Sequence, residues 1–170
     1  MKEMFLLPFI VFFSFLLASP TLASETDLQL EDLSELGEIT YQDDEITVRN
    51  FGNDPVIADI IANSVTSEQQ GVVGPGGKSS ITAGNTGRIL YWSVTPNTLW
   101  PYSFDGYVKL RYYSGFKRDA PIGGWGAIGS SVSGTVTMNK NNGGYATLTG
   151  TAYSMDYVKR TVLPGVGTSY

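Results

Sequence analysis

The chain contains no cysteine and no histidine. The first absence excludes disulfides, thiolate nucleophiles and cysteine-held metal sites. The second removes the imidazole bases and ligands on which most hydrolytic and zinc chemistry rests. Charge is sparse too, at 16% of residues, and no apolar run reaches the roughly 20 residues a membrane-spanning helix needs. Beyond residue 45 the only carboxylates are Asp54, Asp59, Glu68, Asp105, Asp119 and Asp156, few for the paired acids of a glycosidase. No G-x-S-x-G elbow occurs, and the consecutive acids Asp43, Asp44 and Glu45 would point to opposite faces of a strand instead of converging on one ion. The chain therefore reads as a non-enzyme without cofactor or metal.

What is present suffices for one folded domain: 170 residues, 42% hydrophobic and 12% aromatic. Residues 1–23 have the form of a secretory signal. Lys2 provides the positive start, Met4 to Leu17 is a fourteen-residue apolar run, and Thr21-Leu22-Ala23 offers small residues for cleavage before Ser24. The expected mature protein is secreted, by a bacterial route that suits a Gram-positive cell, with no transmembrane segment.

Charge then divides the mature chain. Residues 24–45 carry nine carboxylates and no cation, whereas residues 46–170 carry ten lysines and arginines against six acids. A weakly basic domain thus follows a strongly acidic leader, expected to be a mobile arm or only loosely docked, with a role as propeptide or intramolecular cover as the alternative.

In the domain, Glu45 to Phe51 alternates as a strand. Asp54 followed by Pro55 has the chemistry of a helix start and puts Val56, Ile57, Ile60, Ile61 and Val65 on one face; a strand over 55–65 is the less favoured alternative. The run GVVGPGGKSS (71–80) lacks the spacing of a phosphate loop, having Val72 where the first glycine belongs, and reads as a Pro-Gly turn. Strands are predicted at Lys78 to Thr82, Arg88 to Thr95, Gly106 to Ser114 and Tyr157 to Leu163, with a glycine-rich loop at Ala120 to Gly129. The strongest pattern is SVSGTVTMNKNNGGYATLTGTAYS (131–154), two alternating runs read as a β-hairpin turning at Asn141, Asn142 and Gly143. Met138 would then face Ala146, Val136 Leu148, Gly134 Gly150 and Val132 Ala152, with Trp92 or Trp125 filling the notch left by the glycine pair. The predicted fold is mainly β, an antiparallel sandwich of about seven short strands with at most one short helix near 55–65 and an acidic N-terminal arm.

One surface stands out. Tyr107, Lys109, Arg111 and Tyr113 share a face of their strand, Lys117 and Arg118 follow, and Trp100, Tyr102 and Trp125 sit in the flanking loops. Interleaved cations and aromatics of this kind suit an anionic envelope polymer, a lipid surface or a carbohydrate; nothing in the pattern suggests nucleic acid. The functional expectation is a secreted binding protein acting on a cell-envelope ligand, with a toxin or bacteriocin-like effector carrying an acidic propeptide as the alternative.

Overall fold

The computed structural model describes residues 29–64, 71–140, 143–155 and 160–170. The signal-like segment therefore lies outside the described residues, as do Val65, Asn141, Asn142 and the first part of the predicted strand at 157–163. The described chain is mainly β, with two antiparallel sheets in a sandwich-like arrangement and one short α-helix.

The first sheet runs β1 (Glu38–Gln42), β2 (Ile46–Gly52), β8 (Val132–Met138), β5 (Ile89–Pro96), β4 (Gly77–Ala83) and β3 (Gly71–Gly74). The second runs β7 (Lys117–Gly126), β6 (Tyr102–Tyr112) and β9 (Gly144–Ser154), whose far edge is shared by β10 (Arg160–Val162) and β11 (Val166–Ser169). Alternate residues of both sheets meet in one core that includes Ile46, Val48, Leu90, Trp92, Phe104, Val108, Leu110, Val136 and Leu148. Eleven strands among the described residues exceed the seven expected, because β1, β3, β7 and β11 carry weak patterns.

The predicted hairpin at 131–154 is not a hairpin. β8 pairs with β2 and β5, while β9 pairs with β6 in the opposite sheet, so the two strands lie in different sheets. The expected inward set holds, since Val132, Val136, Met138, Ala146, Leu148 and Ala152 are all buried, but Ser133 and Thr135 on the alternate face are buried as well. Two apolar faces can meet side by side in one sheet or across the core between two sheets, and alternation alone does not distinguish these cases. Gly143 adopts the left-handed conformation, φ +61°, that the turn was expected to need. Gly134 and Gly150 do make room for large rings, although in different sheets. Trp92 lies where a side chain on Gly134 would be and Phe104 where one on Gly150 would be, the two rings 6.0 Å apart. Trp125, the other ring considered for that notch, is exposed.

Two further expectations change. Ala120 to Gly129 is largely strand, for β7 pairs with β6 continuously from Gly126 opposite Tyr102 to Lys117 opposite Arg111. Its glycines answer to close approach: a β-carbon on Gly126 would strike the Tyr102 ring and one on Gly124 the Asn50 side chain. Pro121, with no N–H to offer, is tolerated because β7 is an edge strand. The described part of the leader packs against the domain. Leu30–Glu35 forms a 3-10 helix that buries Leu33 completely, and β1 adds an edge strand to β2.

Helix α1 (Pro55–Asn63) forms as predicted. Asp54 accepts hydrogen bonds from the backbone N–H of Val56 and Ile57, at 2.9 and 3.4 Å, and Pro55 stands at the first helical position. Its buried residues are Ala58 and Ile61, whereas Val56, expected on the buried face, is exposed. α1 packs across β4, β5 and β8 on the outer side of the first sheet. With the 3-10 helix it builds a second small core of Leu33, Ile61 and Tyr91, edged by Phe51, Ile57 and Ile89. Ser80 of β4 and Ser93 of β5 face Ala58 and Ala62 of the helix across a small cavity. Residues 71–80 form the expected turn, with Gly74 paired to Gly77 across Pro75-Gly76.

Candidate functional site

Among the described residues no helix covers the outer face of the second sheet, and its side chains can be read directly from the strand register. Across β7, β6 and β9 the rows are Trp125, Ser103, Tyr153; Gly123, Asp105, Thr151; Pro121, Tyr107, Thr149; Asp119, Lys109, Thr147; and Lys117, Arg111, Tyr145. Val162 extends the second row onto β10. Trp125 is 65% exposed, and Tyr107, Tyr145 and Tyr153 are each exposed by 41% or more. Tyr145 is held in place because its ring lies over Gly167 of β11, where a β-carbon would strike the phenol.

Of the residues expected to bind, Tyr107, Lys109, Arg111, Lys117 and Trp125 come together on this face. Tyr113 follows directly after β6 and is well exposed. Arg111 is already engaged: its guanidinium bonds Asp119 at 2.8 Å and the carbonyls of Leu110 and Arg118 at 2.7 and 3.2 Å. Lys109 and Lys117 have no ion pair among the described residues.

Three expected residues fall elsewhere. Tyr102 is fully buried and its hydroxyl donates to the Ser130 carbonyl at 2.7 Å; burial raises its pKa to about 12. Arg118 points away from the open face because it is in register with the core residue Leu110. It forms an ion pair with Asp43 and bonds the Tyr41 hydroxyl at 2.9 Å, pinning the leader to β7. Trp100 belongs to one end of the sandwich, in the loop after β5. Leu99, 83% exposed, Ile128 and Met155 are exposed there too, and the Met155 N–H to Pro101 carbonyl bond of 2.8 Å ties two of these loops together.

Tyr145 and Tyr153 were missed, and their signal was legible: both share parity with Thr147, Thr149 and Thr151 on one strand, so the threonine-rich face carried an aromatic at each end.

Two clefts open on this face. One, of about 430 Å³, lies between β1 and β7 and is lined by Trp125, Pro121, Asp105, Tyr41 and Glu38 among others. The second, of about 360 Å³, is lined by Asp105, Tyr107, Thr149, Thr151, Tyr153 and Val162. Asp105 belongs to both.

Among the described residues, no three side chains of histidine, cysteine, aspartate or glutamate gather as a metal site, and no helix is long and apolar enough to cross a membrane. Fold and site together define a two-sheet β-sandwich with one covered and one open outer face. Comparison with protein-family models and with curated proteins finds no match for this chain.

Proposed function

We propose that this is a secreted, non-enzymatic binding protein whose open sheet face holds an extended glycan of a cell envelope. The observation that carries the reading is the placement of Trp125, Tyr107, Tyr145 and Tyr153, solvent-exposed and firmly based, on a sheet face that no described residue covers. Exposed rings on a rigid face cost little to desolvate against the C–H faces of sugars, and large solvent-exposed apolar patches mark contact surfaces. Trp125, Tyr107 and Tyr145 step diagonally across three strands, their Cα atoms about 14 Å apart at each step from ordinary strand spacings. A line of that length on an open surface suits a polymer better than a small molecule held in a pocket. Lys109 and Lys117, at the far end, are available to acidic substituents.

The test is cosedimentation with insoluble chitin, cellulose and purified cell wall, comparing the protein with Trp125→Ala and Tyr107→Ala. A loss of at least about tenfold in each variant, the scale of an aromatic hot spot, is expected for the bound glycan. Retention of full binding by both would remove the platform. Export is tested by the intact mass of the protein in culture medium, expected to begin at Ser24.

A second reading, a membrane-directed effector restrained by its acidic leader, draws support from two observations. Leader carboxylates Glu35, Asp43 and Glu45 pair with Arg49, Arg118 and Lys140, three of the four ion pairs among the described residues. Leu99, Trp100, Ile128 and Met155 give one end of the sandwich an apolar tip. Binding to anionic vesicles that rises on removal of residues 24–45 and falls with Trp100→Ala would favour it.

A further inference from the structure

Helix α1 has an apolar grip on one flank only. Its buried residues are Ala58 and Ile61, and Ile61 lies with Leu33 of the 3-10 helix and Tyr91 of β5 in the small second core, with Ile57 and Ile60 at the edge. The other flank, Ala58 and Ala62, stands over a cavity of about 160 Å³ whose sheet side is formed by Lys78, Ser80, Ser93, Thr95 and Ser131. Hydroxyls facing two methyl groups give the helix little apolar hold there. The bed has a second weakness on β8, which α1 also crosses. Ser133 and Thr135 are fully buried, and their hydroxyls have no hydrogen-bond partner. A hydroxyl in that state gains by meeting water, so covering this stretch of β8 is unfavourable in itself.

The leader offsets this. Leu33 is the buried residue of the 3-10 helix and closes the cluster over Ile61 and Tyr91. Its neighbours hold only at the surface: Glu35, 86% exposed, pairs with Arg49 at 3.4 Å, and Arg49 reaches the Gly37 carbonyl at 3.4 Å. β1 has anchors of its own, in the ladder with β2 and in the Asp43 to Arg118 pair, and does not depend on Leu33. We propose that the 3-10 helix is a strap: Leu33 clamps α1 to the first sheet, and strap and helix open together as one unit while both sheets stay folded. One small apolar cluster joining two short elements over a polar bed is what a local, cooperative opening requires. Opening hydrates Ser133 and Thr135 and turns the covered face into a second exposed sheet face, with Tyr91 and Ser93 on it. Whatever draws off residues 30–35, as a protease cutting the leader would, releases the helix.

The test is amide hydrogen exchange, read by mass spectrometry on the intact protein and on its Leu33→Ala and Leu148→Ala variants. Leu33 lies in the strap cluster and Leu148 in the main core between the sheets. If α1 opens with the strap while the sheets stay folded, Leu33→Ala speeds exchange in Pro55–Asn63 by at least about tenfold, as loss of a buried leucine should. Leu148→Ala then speeds β6 and β9 by at least about tenfold but leaves α1 within about threefold of the wild type, because its contacts are intact before and after that opening. Leu33→Val guards against a failure of Leu33→Ala to fold, with the same ordering at about threefold or more. Unchanged α1 exchange in the foldable Leu33 variants overturns the strap. Acceleration of α1 by Leu148→Ala to the same degree as β6 and β9 overturns the separate opening, since α1 would then be released only when the whole domain unfolds.

Discussion

The two outer faces of this sandwich have opposite fates. On the first sheet, α1 and the 3-10 helix lie over Tyr91 and a bed of serines and threonines, so that Ser93, Ser133 and Thr135 are buried although they point away from the main core. On the second sheet the equivalent face is open, and it is there that large rings stand exposed. A covered face needs small side chains so that the covering helix can approach, together with a few apolar contacts to hold it. An open face that served only solubility would carry charge and small polar groups. The second sheet instead displays a tryptophan and three tyrosines, which is why function is sought there.

The largest effect that would break this comparison is on stability. Ile61→Ala, which removes the helix side of the small core, is expected to cost about 2 to 5 kcal/mol, whereas Tyr107→Ala on the open face should cost less than about 1. Urea denaturation of both variants checks this, and similar losses would mean that the open face is part of the structural core.

Alkaline titration comes next. Tyr91 is raised to about 12 from the ordinary 10.0, first by burial and then by Glu31 and Asp32 of the leader, and Tyr102 to about 12 by burial. The unfolded chain ionises these hydroxyls from about pH 10, while the folded protein holds their protons to about pH 12. The stability they contribute is therefore complete below pH 10 and lost as pH rises toward 12, on the order of 2 to 3 kcal/mol for each. Tyrosinate absorbance recorded alongside circular dichroism follows it. Because the leader's acids add to the Tyr91 shift, neutralising Glu31 and Asp32 together should move that titration to lower pH, sharpening the claim that the leader belongs to the covered face.

Asp43→Ala is expected to cost about 1 to 2 kcal/mol, less than a core truncation because the site is partly open to solvent. Asp43 accepts from the backbone N–H of Glu45 and Ile46 at 2.8 and 2.9 Å and from the Tyr41 hydroxyl at 2.8 Å, and it pairs with Arg118. Asp43→Asn should recover part of the loss by keeping an acceptor. A full-length chain indifferent to Asp43→Ala would mean that the leader's strand is held by its ladder with β2 alone.

The smallest effect is at the cationic end of the open face. Lys109→Gln should lower binding to acidic glycans by no more than about fivefold at low salt and not at all at 1 M salt, where the screening length falls to about 3 Å. A larger loss would shift the weight of recognition from rings to charge.

Much of this molecule was legible before any coordinates. Asp54-Pro55 specified a helix start by local chemistry alone, and the period-two pattern named the core-facing residues of β8 and β9 correctly. Orientation within a strand depends only on parity, which the chain carries in itself. The shared face of Tyr107, Lys109 and Arg111 followed for the same reason, and Tyr145 and Tyr153 were recoverable from their spacing.

Partnership was not legible, because strand pairing depends on residues far apart in the chain and is degenerate in the pattern. Val136 and Leu148 bury equally well as neighbours in one sheet or as opposites across the core, and only the ladders of β8 with β2 and β9 with β6 decide between them. The same holds for Arg118, whose charge was evident but whose register with Leu110 turned it from the open face to the leader. The glycine-rich β7 was hidden because its glycines are required by the Tyr102 ring and the Asn50 side chain, contacts from 24 and 74 residues away that no local propensity records. Composition and parity therefore determined which residues face inward or outward and that the chain is a β protein, while the tertiary ladders alone decided which outward face is covered, which is open, and what stands beside what on it.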